Sequence, residues 1–303
     1  MTIHHASAVL KMVRPEESGE VGERVLARIQ QCRHGIFCYF PHDIYIGAAL
    51  DKYGEYVEDE LKLLLSCVNA GDIVVEVGAN IGCDTVPLAR KVTNAGRVFA
   101  FEPQRIIYQM LCGNLAINGI WNVIAERAAL GSASGITQVP PVDYAQSGNF
   151  GGVSLAAQGA EPVQVIALDA YQLTRCELLK IDVEGMELEV LKGAVDTISR
   201  LRPLIYCEND RFEKSRDLIE FLRGLKYDLY WHTPQMFSED NYRKNPVNDF
   251  RNDKGQSLVS LNMLCCPAER GLNPGLAPVV DRPPFSGAGG LAADATVVHG
   301  DFA

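Results

Sequence analysis

One run constrains this chain more than any other: Val74-Val75-Glu76-Val77-Gly78-Ala79-Asn80-Ile81-Gly82. β-branched residues end in an acid and pass directly into a Gly-x-Asn-x-Gly turn. A second acid, Glu102, closes the apolar run Val98-Phe99-Ala100-Phe101 about twenty residues later. In an open α/β sheet this pattern sets a glycine-lined turn and a ribose-binding carboxylate side by side, at the carboxyl ends of neighbouring strands. The chain is therefore read as one that holds a nucleoside cofactor.

The surrounding pattern supports such a sheet. Strands are predicted at 73–77, 97–101, 122–125, 178–182, 204–208, 227–231 and 258–265, with helices at 55–68, 81–92, 106–117, 186–198 and 214–222. Strand–helix alternation implies a mainly parallel sheet covered on both faces. The direct link between the last two strands implies an antiparallel final hairpin. Pro87 falls inside the helix predicted at 81–92 and should kink or shorten it. Upstream, Val21, Val25, Leu26 and Ile29 share one face of a helix predicted at 20–31. Ile36–Phe40 and Ile44–Ile46 read as strands joined by Pro41-His42-Asp43. Residues 131–162 and 232–256 interrupt the rhythm, and both should emerge near the carboxyl edge, where ligands bind. The domain reading is an extension at 1–52 (helix and hairpin, a lid or dimer element), a catalytic domain at 53–267, and a Gly/Pro/Ala-rich tail at 268–303.

Composition narrows the partners. The formal net charge of −10 argues against a nucleic-acid binder and against an anionic membrane surface. No segment has the length of a bilayer span, and the start lacks a signal-peptide pattern, so a cytoplasmic protein is expected. Nine cysteines, mostly in apolar runs, fit reduced core thiols. Cys32, His34 and Cys38 lack a second Cys/His pair for a zinc site. Trp121 and Trp231 read as core.

The cofactor follows by comparing chemistries. A dinucleotide turn needs glycines where this chain has Asn80 and Cys83, and no P-loop is present. S-adenosylmethionine carries no phosphate. It needs a close turn, polar groups for its amino-acid end and an acid for its ribose. Glu76, Gly78, Asn80, Gly82 and Glu102 meet that list, and Asp182 can reach the cofactor's amino group. Two rival readings are a nicotinamide-dependent oxidoreductase, which shares the sheet and the ribose acid, and a non-catalytic S-adenosylmethionine-binding subunit.

The chain resembles the FkbM family of S-adenosylmethionine-dependent methyltransferases. The resemblance rests on the stretch from Gly71 to Gly82, on Val98-Phe99-Ala100-Phe101-Glu102-Pro103, and on Leu179-Lys180-Ile181-Asp182-Val183-Glu184-Gly185-Met186-Glu187. Val190-Leu191-Lys192-Gly193-Ala194 and Arg202-Pro203-Leu204-Ile205 leading to Glu208 extend it. Glu76 stands where the family often has Asp. The resemblance implies a Rossmann-like class I fold with a seven-stranded, mostly parallel sheet whose last strand is antiparallel. It also implies O-methylation of a hydroxyl on a sugar or natural-product small molecule.

Methyl transfer to a hydroxyl needs alignment and the loss of a proton, through a base or a metal. Asp182, Glu184, Glu208 and Asp210 converge at two strand ends. Asp182, Glu208 and His232 are the catalytic candidates. Glu184 reads equally well as a helix N-terminal acid. Asp182 with Glu208 can hold Mg2+, although the sequence fixes no metal site. Lys180 reads as a side chain reaching solvent or a carboxylate. Tyr53, Tyr56 and Phe150 are pocket or core residues, and His42 is a weaker base candidate. The N-terminal extension and the tail can embrace a neighbour in a homodimer.

Overall fold

The computed structural model describes residues 27–155, 161–280 and 295–297. The chain enters through a hairpin, β1 (Arg28–Cys32) and β2 (Gly35–Tyr39), followed by α1 (Ile46–Lys52) and α2 (Glu58–Ser66). Then come β3 (Ile73–Val77), α3 (Thr85–Val92), β4 (Arg97–Phe101), α4 (Arg105–Ile117) and β5 (Val123–Glu126). The first long excursion holds β6 (Ala128–Leu130), β7 (Gly135–Val139) and β8 (Glu161–Ile166). The alternation resumes with β9 (Leu178–Ile181), α5 (Glu187–Lys192), α6 (Val195–Leu201), β10 (Leu204–Glu208), α7 (Phe212–Gly224) and β11 (Tyr227–His232). β12 (Ser257–Val259), β13 (Asn262–Pro267), β14 (Ala277–Pro278) and β15 (Ala295–Val297) complete it.

The main sheet runs β14-β11-β13-β10-β9-β3-β4-β5. The pairs from β10 through β5 are parallel, and β13 lies antiparallel between β10 and β11. This is the α/β sheet expected, with the two-residue β14 added at one edge. β6, β8 and β7 form a small second sheet, which supplies the β structure read into the excursion.

The period-two alternation of β3 and β9 explains the layering. Val75, Val77, Leu179 and Ile181 face a core with α5, α6 and α7, through Val190, Leu191, Ile198 and Leu222. Val74, Val98, Ala100 and Leu178 face the opposite core, built with Leu64, Val86, Leu88, Ile107 and Leu111. Glu76 and Lys180 belong to that second face by register, opposite one another across β3 and β9, and Tyr206 stands next to Lys180 on β10. A polar row therefore crosses an otherwise apolar face near its carboxyl end.

Several local expectations are corrected. The first part of the helix predicted at 20–31 lies outside the described residues, and from Arg28 the chain is a strand. The hairpin turns at Arg33-His34, one element earlier than predicted, and Ile46 begins a helix rather than ending a strand. Thr85 rather than Ile81 opens α3, which puts Pro87 in the first turn, where its missing N–H costs no hydrogen bond. The helix predicted at 186–198 is two helices, parted at Gly193-Ala194. The last predicted strand divides into β12 and β13. Trp231 is buried, but Trp121 is 84% exposed and not core.

Buried Asn114 of α4 locks the hairpin to the glycine turn. Its Oδ1 accepts the Cys38 N–H at 2.7 Å, and its Nδ2 donates to the carbonyls of Cys38 (3.0 Å) and Ile81 (2.8 Å). All nine cysteines are free thiols. No helix among the described residues is long and apolar enough to cross a membrane.

Candidate active site

From β3 the chain moves outward through β4 and β5, then returns to β9 on the other side of β3. The strand order reverses between β3 and β9, and crevices at such a switch point are where open α/β sheets bind ligands. Gly78 closes β3 there with φ +86°, and a Cβ on it would lie 1.8 Å from the Asp182 carbonyl oxygen. Only glycine lets the two strand ends approach this closely. The turn is tied to both neighbours. The amides of Gly78 and Ala79 donate to the Phe101 carbonyl at 2.9 and 3.0 Å, and the Asp182 amide donates to the Val77 carbonyl at 2.9 Å.

Glu102 faces the turn from the end of β4. Its carboxylate accepts the Asn80 amide (3.0 Å) and the Gln104 amide (2.8 Å). Burial pushes its carboxyl up to about 7 against those two hydrogen bonds. Two adjoining cavities share Gly78, Glu102, Gly151, Asp182 and Glu184. The smaller is an apolar slot walled by Phe101, Pro103, Ala129, Leu130, Val153 and Met186, of the character that receives a flat base. The larger is polar and runs past Asn80, Asp84, Lys180, Glu208, Asp210 and Ser260.

Lys180 is the buried cation of this cleft, 3% exposed. Its Nζ lies 3.0 Å from Asp84 Oδ2 and 3.7 Å from Asp182 Oδ2. Burial opposes its charge, but Asp84, Asp182, Glu60 and Glu76 outweigh that and hold it well above the usual lysine range. The reading of Lys180 as reaching a carboxylate holds; the solvent alternative does not. Glu60 of α2 lines the same cleft, with its Oε2 accepting the Asn262 Nδ2–H at 3.1 Å.

On the far side of the crevice, Glu184 pairs with Arg211 at 2.5 Å. The N-terminus of α5 has no side-chain cap hydrogen bond; Glu187 in its first turn instead braces the entering loop, its Oε1 accepting the amides of Gly185 (2.9 Å) and Val183 (3.3 Å). Burial and the neighbouring Asp182 push Glu184 up to about 8, against the pull of Arg211. Glu208 Oε2 is buried with no hydrogen-bond partner among the described residues. Asp182, Glu184 and Glu208 each offer an oxygen, and these oxygens lie within 4.8 Å of one another.

The structure thus brings together Gly78, Asn80, Glu102, Asp182 and Glu208, and leaves three predicted residues outside. Glu76 is 1% exposed, behind the turn, and burial pushes it up to about 8. It belongs to the polar row around Lys180 rather than to the cleft wall. Gly82 packs the turn on α4, since a Cβ there would lie 2.8 Å from Leu111 Cδ1. His232 ends β11, which runs in the same direction as β10 with the antiparallel β13 between them, and its Nδ1 meets the Tyr206 hydroxyl at 2.8 Å. It lines a separate cavity with Asp59 and Arg251, and burial lowers its pKa. Tyr56 lines the cleft, while Tyr53 packs with Phe237 and Phe250, and Phe150 with Phe40 and Tyr144. His42 is not in the cleft wall. Sequence reasoning missed Glu60 and Asp84, whereas the loop at 149–152 belongs to the excursion at 131–162 expected near the carboxyl edge. Those two acids sit within helical and turn segments whose patterning says nothing of their convergence.

Comparison with known proteins adds four findings. The family model described as Methyltransferase FkbM domain matches residues 76–229, just over half of the chain. The hexuronic acid methyltransferase AglP of Haloferax volcanii is 30% identical over 159 residues, 51% of this chain and 62% of that protein. The methyltransferase sdnD of Sordaria araneosa is 32% identical over 154 residues, 40% of this chain and 59% of that protein. The matched stretch therefore spans about three fifths of these relatives' length. The solved structure of methyltransferase FkbM from Methylobacillus flagellatus is 20% identical, with a TM-score of 0.41, over 64% of this chain and 43% of that one.

Proposed function

We propose a reaction from one premise: the chain belongs to the FkbM methyltransferase family. On this reading it transfers a methyl group from S-adenosylmethionine to a hydroxyl of a sugar or related small molecule. The carrying observation is the crevice at Gly78, where Glu102 and an apolar slot adjoin a polar cavity. The hexuronic acid named for one relative supports the sugar acceptor.

Bound, the cofactor supplies an activated methyl group on a neutral leaving group. Glu102 would hold the ribose hydroxyls, its geometry fixed by the Asn80 and Gln104 amides. The apolar slot would hold the base and exclude water from it. Gly78 and Asn80 would border the amino-acid end. Asp182, at the switch point and ion-paired to Lys180, would orient the acceptor hydroxyl or take its proton. Glu208 would extend that carboxylate edge toward β13. The same edge fits Mg2+. Asp182, Glu184 and Glu208 form an all-oxygen donor set, and the unpartnered Glu208 Oε2 is the kind of atom a hard cation satisfies. These three residues would hold the ion, which would lower the pKa of a bound hydroxyl.

The test is incubation with methyl-labelled S-adenosylmethionine, with Mg2+ or EDTA, across free and glycosidic hexuronic acids and neutral glycosides, read by mass spectrometry. Label on a hydroxyl oxygen is expected. Cofactor binding without transfer to any acceptor contradicts the enzyme reading, and an absorbance change with NADH but no S-adenosylmethionine binding contradicts the cofactor.

A further inference from the structure

Charges in the cleft do not balance. Asp84 and Asp182 share Lys180, and Glu184 and Asp210 share Arg211. Glu102 has no ion pair among the described residues but accepts two backbone amides. Two further acids of the cleft have no ion-pair partner within 4.0 Å among the described residues: Glu208, whose oxygen groups with those of Asp182 and Glu184, and Glu60, which has one side-chain hydrogen bond, from Asn262 to Oε2. Glu60 is 8% exposed and opens on the polar cavity. Its place matters as much as its charge. Glu102 marks the β4 side of the crevice, and Asn262 anchors Glu60 over the β10–β13 side. A nucleoside whose ribose meets Glu102 extends its other end across Gly78 toward β9 and toward Glu60. Lys180 of β9, Asp84 before α3, Asp182 after β9, Tyr206 of β10 and Tyr56 before α2 are the charged and titratable groups around it.

We propose that Glu60 faces the sulfonium of the methyl donor and makes the cleft discriminate between the charged donor and its neutral demethylated product. This inference rests on the S-adenosylmethionine reading and assigns a specificity residue to it. Glu60 lies outside residues 76–229, the segment matched by the family model. Transfer of the methyl group removes the positive charge that Glu60 attracts, and product release follows from the change in charge. Burial pushes the Glu60 carboxyl up to about 8 in the free cleft, so the contrast is sharpest in mildly alkaline solution.

Calorimetry at pH 8.5 with EDTA tests it on the full chain, using three probes. These are S-adenosylmethionine, S-adenosylhomocysteine, and sinefungin, which carries an ammonium group near the sulfonium position. The wild type should bind the two cationic probes at least about tenfold more tightly than S-adenosylhomocysteine. Glu60→Gln should lose most of that preference, with S-adenosylhomocysteine affinity changed by no more than about twofold, and Glu60→Asp should keep part of it. Equal weakening of all three probes would assign Glu60 to the shared amino-acid end or to structure, and would overturn the proposal. Wild-type parity between donor and product would overturn it even if Glu60→Gln failed to fold. No binding of any probe would overturn the cofactor reading itself.

Discussion

The two sides of the crevice are built on different principles. On the β3–β4 side, the polar groups are satisfied locally: Glu102 holds two amides, Asn80 Oδ1 accepts the Ile81 amide at 2.7 Å, and the turn hangs on the Phe101 carbonyl. On the β9–β10 side, charge is held by charge. Lys180 is set among carboxylates from α2, β3 and the loop before α3, and Arg211 answers Glu184. Backbone-held geometry is rigid and suits a constant cofactor. A charge cluster taken from several elements adapts to what enters, and it gives no stability unless every member stays paired.

The largest effect expected from this contrast is on folding. Lys180→Met would strand buried carboxylates around Asp84 and Glu76, and should destabilise the chain by about 3–5 kcal/mol in denaturant titration. A loss below about 1 kcal/mol would mean that the cluster is already neutral and the two sides are not so different. Glu102→Gln should act on binding instead. It keeps shape but loses a charge-assisted acceptor, so S-adenosylmethionine affinity should fall by about 1.5–3 kcal/mol in calorimetry. A collapse of folding rather than of binding would erase the distinction. The smallest effect concerns pH. Glu76, pushed up to about 8 by burial, binds its proton more tightly folded than unfolded. Its contribution to stability is full below the ordinary glutamate range and is lost as pH rises through about 8. Glu76→Gln should therefore melt higher relative to wild type at pH 8.5 than at pH 5, and a difference that does not change with pH would contradict the placement of Glu76.

The same contrast explains what the sequence revealed. The β3–β4 side depends on residues close together in the chain, so Gly78, Asn80 and Glu102 could be read as a motif, and so could the sheet with its strand limits at Ile73–Val77, Arg97–Phe101 and Leu204–Glu208. Glu76 and Gly82 belong to the same motif, yet Gly82 packs the turn on α4 and Glu76 joins the polar row around Lys180, a distinction that depends on which face each residue takes. Lys180 and Glu60 meet only because β9 returns beside β3 and α2 folds over that edge, and no local pattern encodes this. His232 lies at the carboxyl edge as read, because β11 runs in the same direction as β10. With β13 inserted antiparallel between β10 and β11, it opens on a different cavity. The hairpin was shifted by one element because Ile44–Ile46 has strand-like composition but is drawn into the turn and first residue of α1.

The most direct test of the account is a crystal structure of the chain with S-adenosylmethionine. The ribose hydroxyls should bond the Glu102 carboxylate, the base should fill the slot beside Phe101 and Met186, and the methyl group should point toward Asp182. Cofactor density elsewhere on the molecule, with the Gly78 turn and Glu102 free of it, would contradict the account.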